Sequence, residues 1–372
     1  MERYRGQPLR PKPHLAVLVW DKPGGFVVAT VVLRALRERF PGCTIDFYGG
    51  ERTREFEEAS RLIDARHSLV GLPDGLAGLA GFVAERTARH GRYDLGINLD
   101  FEPCFATAMG LLGPRYVAGP AYEPDLRRML PDADDRQQQL DDDLDWNRAS
   151  LVDEYRDLIG SNYMGELWCR RAGLVTDFFR PEVPIADPGP GVPDVIVATG
   201  GTRATKIWPI DGWLALARLL RGDGLSVGLV GVARAQQGRY GSSVEDDDRL
   251  VAEAGLVDLR GRWTLPQVAG AARAARAAVT IDNAIGHIAA AVGTPTVTLW
   301  GGSPWRLWMS RLPNARHLRP TAVCALCEDS RFRNQHCLRE RRVCMESITP
   351  HRVHAEVRSL LRRQPATSGV GT

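Results

Sequence analysis

Lysine is nearly absent from this chain. Of 48 Lys and Arg residues in 372, only Lys12, Lys22 and Lys206 are lysine. An excess of one charge sign is missing too: the net charge is +3, which gives no basis for a nucleic-acid partner or an anionic membrane surface. No run approaches the ~20 apolar residues that span a bilayer. The apolar stretch Leu15 to Trp20 is too short for a secretion-signal core. A cytoplasmic protein is therefore expected, and its seven cysteines read as reduced thiols. What is present is a chain 44% hydrophobic and 25% charged, a soluble globular composition with ample core. At roughly 100–200 residues per domain, its length predicts two domains.

The pattern is α/β. His14–Trp20, Cys43–Tyr48, Tyr93–Leu99 and Arg115–Ala118 read as strands buried on both faces. Helical stretches Phe26–Phe40, Leu79–His90 and Phe105–Leu112 alternate with them. Such alternation predicts parallel sheets covered by helices. Between 122 and 147 the pattern breaks into an acidic insertion with seven aspartates from Asp132 to Asp145, expected to be solvated and mobile. Ser150–Ala172 reads as one long helix. A proline-rich linker, 181–193, then separates an N-terminal domain (1–180) from a second one (194–348), followed by a helix and tail (349–372). In the second half, strands at Asp194–Ala198, Leu225–Val230, Ala277–Ile281 and Thr296–Trp300 alternate with helices.

Two segments of the second half carry the chemistry. In VTIDNAIGHIAAAVGTPTV, from Val279 to Val297, a buried strand ends at Asp282 and a helix begins at once. Asp282 or Asn283 suits its N-cap, and the backbone N–H groups around Ala284 and Gly286 suit phosphate oxygens. His287 follows one turn on. In TGGTRATKIWP, from Thr199 to Pro209, a strand opens into a glycine-rich loop with Thr202 and the isolated Lys206. Glycines allow close backbone approach, and a lysine supplies a point charge for a diphosphate. The competing readings are a plain helix cap and an ordinary polar loop. Both segments are expected at one edge of one sheet, where open parallel sheets bind ligands.

Together these residues resemble the heptosyltransferase family, glycosyltransferase family 9. The shared pattern is a Thr/Ser-rich loop leading to Lys, one residue and Trp-Pro, here Thr202, Lys206, Trp208 and Pro209. It continues with an Asp-x-x-x-x-His helix start, here Asp282 and His287, and an aromatic-Gly strand end, here Trp300-Gly301. The resemblance implies a GT-B fold, two Rossmann-like domains facing across a cleft. It implies inverting transfer from a nucleoside-diphosphate sugar, typically ADP-heptose. Lys206 and Thr202 would then contact the diphosphate and Asp282 the sugar or its phosphate. Asn283, Ala284, Gly286 and His287 would frame the site. A lysine and helix dipoles serve a departing diphosphate without a metal, so neither metal nor cofactor is expected.

The sequence departs from the family pattern in two places. Ala284 replaces a glycine at the helix start. More consequentially, Gly25 stands where the family places the aspartate that takes the acceptor's proton. Direct displacement by an alcohol needs such a proton acceptor. Asp100 is the first candidate to replace it and Asp21 the second, because each follows a strand; a turn or cap role competes for both. Cys324, Cys327, Cys337 and Cys344 form a CxxC-x9-C-x6-C set, a spacing that can hold zinc, with reduced thiols the favoured reading. Trp300, Trp305 and Trp308 are expected to pack more than to stack on a ligand. The aspartates of the insertion would repel a phosphorylated lipid. They point to a small soluble acceptor, such as an intermediate of a specialised metabolite, and a monomer is expected. A lipopolysaccharide-core heptosyltransferase and a non-catalytic sugar-nucleotide binder are the alternatives.

Overall fold

The computed structural model describes residues 1–71, 76, 78–239 and 243–363; residues 364–372 of the expected tail lie outside them. The chain divides into two units, Met1–Pro184 with Arg306–Trp308, and Ile185–Trp305 with the residues from Met309 onward.

The first unit is built on six parallel strands: β1 (Glu2–Arg3), β2 (His14–Leu18), β3 (Thr44–Gly50), β4 (Ala65–Val70), β5 (Leu95–Asn98) and β6 (Tyr116–Ala118). Their order is β1-β6-β5-β2-β3-β4. The chain moves outward in both directions from β2, so the order reverses between β2 and β5. Every residue of β2 and β5 is buried, as a parallel sheet covered on both faces demands. Pro23 opens the helix Pro23–Arg39 with its φ already helical.

The polar centre of this unit is a buried carboxylate. Asp46 on β3 accepts from Arg86 Nη2 (2.7 Å) and the Tyr93 hydroxyl (2.7 Å), and lies 2.8 Å from His14 Nε2. Burial works against its charge, but the bonds from His14, Arg86 and Tyr93 outweigh it and hold the carboxyl below the usual range.

Two sequence expectations fare differently in this unit. The stretch Ser150–Ala172 is two helices, Leu151–Glu154 and Met164–Arg171. Between them, Glu166 accepts from Gly160 N–H (2.8 Å) and the Ser161 hydroxyl (2.6 Å), and Asn162 Nδ2 donates to Trp146 O (2.6 Å). Side-chain bonds to local backbone replace the helical ladder there. The acidic insertion is not simply solvated. Arg3 pairs with Asp132 at 3.1 Å, Arg5 holds Asp135, and Asp135 caps the helix Arg136–Asp141 by accepting from Gln138 N–H at 2.8 Å. Leu140 is buried. The helix Arg54–Ala59 and strand β4 carried no clear signal and form nonetheless.

The second unit repeats the plan with β7 (Val195–Ala198), β8 (Val227–Leu229), β9 (Val257–Asp258), β10 (Ala277–Ile281), β11 (Thr296–Leu299) and β12 (Ala315–Leu318). All are parallel, in the order β12-β11-β10-β7-β8-β9. Here the order reverses between β7 and β10. Among the described residues, no helix is long and apolar enough to cross a membrane.

Asp46→Asn leaves the Arg86 guanidinium buried without its counter-charge, which costs about 3–5 kcal/mol. Because the folded-state carboxyl is depressed, the wild-type contribution is complete above the ordinary carboxylate range and fades as pH falls below it. Urea unfolding from pH 7 down to pH 3 checks both: the variant's deficit should shrink with acidification, and a constant deficit rules the account out.

Candidate functional site

At a reversal of strand order, the loops leaving two neighbouring strands part and open a crevice at their carboxyl ends. In the second unit those strands are β7 and β10, and the two motif loops leave from them. Thr199–Lys206 follows β7 and Asp282–His287 follows β10.

Asn283 joins the loops. Its Oδ1 accepts from Gly286 N–H (3.1 Å), capping the helix Ala284–Ala291. Its Nδ2 donates to Gly200 O (2.9 Å) and Ala198 O (3.2 Å). One side chain thus ends β10, starts the helix and holds the β7 loop against both. The approach is close at two glycines. A Cβ at Gly286 would lie 2.5 Å from Thr280 Oγ1, and one at Gly201 would lie 2.9 Å from Ile281 Cδ1. Ala284 is accommodated at the first helical position.

Lys206 ends a short 3-10 turn, Ala204–Lys206, and its Nζ lies 2.5 Å from Asp282 Oδ2. His287 Nε2 stands 3.7 Å from Asp282 Oδ1. Burial alone would favour the neutral acid at Asp282, but the Lys206 ammonium and His287 outweigh it and hold the carboxyl far below the usual carboxylate range. The cluster is therefore a fixed carboxylate flanked by two nitrogen groups, beside the first-turn N–H groups of a helix. The helix N–H groups suit an anion, while the Lys206 charge is matched by the Asp282 carboxylate. Thr202 is exposed in the same loop.

Several supports for this loop carried no sequence signal. Arg203 Nη2 donates to Gly302 O (3.0 Å), and its guanidinium also reaches Phe332 O. Ala204 N–H donates to Gln335 O (3.1 Å). Below β7, Thr199 Oγ1 donates to the buried Asp247 (2.6 Å), which Gln237 also contacts, and burial pushes the Asp247 carboxyl up. Asp247 sits in the run Glu245–Asp248, which reads as a solvated helix face. Trp208 is a structural member of its motif, since its Nε1 donates to Ile348 O (2.9 Å). Trp300 is buried and donates to His317 Nδ1 (2.9 Å).

Asp21 and Asp100 occupy the equivalent edge of the first unit, after β2 and β5. Asp21 Oδ1 accepts from the N–H groups of Arg52 (2.7 Å) and Thr53 (3.1 Å), tying down the turn after β3. Burial nevertheless raises its carboxyl. Asp100 Oδ1 accepts from Glu102 N–H (2.9 Å), just before the helix Pro103–Leu112. Both carboxylates hold a turn. Gly25 lies in the first turn of the helix Pro23–Arg39, where a Cβ would meet only Lys22 Cβ, at 3.8 Å.

Residues 180–337 match the family model of glycosyltransferase family 9 (heptosyltransferase). The C-terminal domain belongs to this family. The chain is 30% identical over 198 residues to lipopolysaccharide heptosyltransferase 1 of Pseudomonas aeruginosa, a match covering 50% of this chain and 53% of that protein. It thus spans about half the length of that relative. A glycosyl transferase family 9 structure from Veillonella parvula superposes with a TM-score of 0.69 at 16% identity, covering 96% of this chain and 99% of that one. ADP-heptose lps heptosyltransferase II of E. coli superposes with a TM-score of 0.66 at 18% identity, over 94% and 99% of the two chains. The family 9 domain is one half of a GT-B fold, two Rossmann-like domains, as expected from the sequence.

Cys327 of the cysteine set lies near the Lys206 loop, since a Cβ at Gly302 would meet both Thr205 and Cys327 Sγ. Burial, reinforced by Cys327, Cys324 and Cys337, raises the Cys344 thiol. All four are free and partly buried. Among the described residues, no three His, Cys, Asp or Glu side chains are grouped to hold a metal ion.

Asn283→Ala removes the helix cap and two inter-loop bonds, at a cost of about 1–3 kcal/mol. Asn283→Asp keeps the cap and loses the Nδ2 donors. Denaturant midpoints should rank wild type above Asp above Ala; equal stability of wild type and the Ala variant would refute the linking role.

Proposed function

We propose that the protein is an inverting glycosyltransferase. It moves a heptosyl group from ADP-heptose to a small soluble acceptor such as a specialised-metabolite intermediate. The observation that carries this reading is the Lys206–Asp282–His287 cluster at the β7/β10 strand ends. The similarity to an ADP-heptose enzyme supports the donor.

In the reaction, an acceptor oxygen attacks the anomeric carbon from the face opposite the diphosphate. The new C–O bond forms as the old one breaks, and the bonding pair leaves on the diphosphate. Negative charge grows on the departing group, and preorganised positive groups lower that barrier most effectively. Lys206, Thr202 and the N–H groups from Asn283 to Gly286 would supply them. Asp282 would fix Lys206 and, with His287, border the sugar. The acceptor's proton must go to a base. With Gly25 in the family position, Asp100 is the first choice and Asp21, with its raised carboxyl, the second.

A lipopolysaccharide-core acceptor is the second reading, favoured by the curated relative. Transfer to a phosphorylated lipid core, with small soluble acceptors ignored, would establish it over the first.

Calorimetric titration should detect ADP, and Lys206→Ala should weaken it by about tenfold or more; binding of UDP alone would sink the ADP-heptose donor. Gly25→Asp has room for its Cβ, which would meet Lys22 Cβ at an ordinary 3.8 Å. If the missing base limits transfer to hydroxyl acceptors, this change should raise the rate by about tenfold or more. An unchanged rate in a folded variant would assign proton removal to another group.

A further inference from the structure

The β7 loop, Thr199–Lys206, carries two charged residues, Arg203 and Lys206. They are matched differently. Lys206 has the Asp282 carboxylate at 2.5 Å. Arg203 forms no ion pair among the described residues. Its guanidinium donates instead to two backbone carbonyls, Gly302 O (3.0 Å) and Phe332 O. Carbonyls satisfy N–H groups but leave the charge uncancelled. Burial pushes the Arg203 pKa down, and Asp282 leads the charges that oppose this.

The strand order shows where this charge stands. Arg203 follows β7 and Gly302 follows β11, with β10 between them in the sheet. A side chain that reaches Gly302 from the β7 loop therefore passes the carboxyl end of β10, where Asp282 leads into the helix Ala284–Ala291. Gly302 N–H in turn donates to Thr205 O (3.2 Å), so the loop is fastened on that side as well.

A second observation is backbone strain. Arg331 and Phe332 both have positive φ, 50° and 56°, a region that is costly for residues with a Cβ. From that conformation Phe332 turns its carbonyl to Arg203, while its N–H donates to Cys327 O (2.6 Å). Strain of this kind persists where the surrounding contacts fix a geometry that function uses.

We propose that Arg203 supplies the positive charge that draws the donor's diphosphate to the β7/β10 crevice, with Lys206 and the helix N–H groups as the direct contacts. The inference deepens the glycosyltransferase reading and rests on it. The Lys206–Asp282 pair is neutral as a unit, so its field falls off faster with distance than that of a single charge. The guanidinium has no such partner and acts across the crevice. Arg203 is a positioning residue, since it touches the loop backbone and not the reacting atoms. As the sugar–phosphate bond breaks, its charge is already in place for the diphosphate that leaves.

Ligand-observed NMR titration of the full chain with ADP, UDP and adenosine tests this, using wild type, Arg203→Gln and Arg203→Lys. Adenosine has the base of ADP without its charge. Arg203→Gln should weaken ADP by about tenfold and change adenosine by less than about twofold. Arg203→Lys keeps the charge and should hold ADP within about threefold of wild type. Added salt should weaken ADP binding more in wild type than in Arg203→Gln. Parallel loss of ADP and adenosine in Arg203→Gln, or equal loss of ADP in both variants, would reduce Arg203 to loop packing and overturn the proposal. Unchanged ADP affinity in Arg203→Gln would overturn it too, with the donor reading left standing. If wild type binds neither ADP nor UDP, the donor reading falls and this inference with it. If UDP binds in place of ADP, the same comparison with UDP and uridine decides it.

Discussion

The 2.5 Å approach of the Lys206 ammonium to Asp282 is the contact around which the second unit is arranged. Two charges this far from water are tolerable only in good mutual geometry. That geometry needs β7 and β10 side by side, and it needs their following loops held in register. Asn283 does the second job by bonding Gly200 O and Ala198 O while capping its own helix. Gly286 and Gly201 permit the spacing, since a Cβ at either would press on β10 side chains. Arg203 and Ala204 are held from the far side by the 332–335 segment. A lysine charge is thereby presented beside helix N–H groups, with its partner already in place before any ligand arrives.

The first unit shares the order of five of its six strands, differing at the edge strand β1, and has a different chemistry. Its strand order also reverses at its first long strand, and Asp21 and Asp100 follow the two strands there. Each carboxylate holds a turn by accepting backbone N–H groups. The carboxylates with more freedom lie in the acidic segment, where Asp142 has a neutral partner only.

Much of the fold was legible because parallel strands buried on both faces leave uninterrupted apolar runs. His14–Leu18 and Ala277–Ile281 are such runs, and both are strands. Helices with a clear start were legible as well, notably the one opening at Asn283. Short elements were not. The helix Arg54–Ala59 has no capping signal that stands out, and its place is set by Asp21, more than 30 residues away. Ser150–Ala172 looked like one helix because periodicity cannot show that Glu166 and Asn162 bond the intervening backbone. The acidic insertion looked solvated because pairing with Arg3 and Arg5 spans about 130 residues of sequence.

The amino-acid sequence by itself determined the α/β class, the two motif loops and the conspicuous Lys206, because apolar runs, glycines and isolated charges are local properties. The resemblance to the family added that Gly25 stands where an acid is expected. Only the tertiary structure decided that Lys206 and Asp282 form one ion pair, that Asn283 and not Asp282 caps the helix, and that Asp247 supports Thr199 from beneath. It also decided that Asp132, Asp141 and Asp142 line a cavity with Phe101 and Met129. Each of these depends on which strand ends are neighbours and which charges find partners, and that is settled by the order of strands in the sheet.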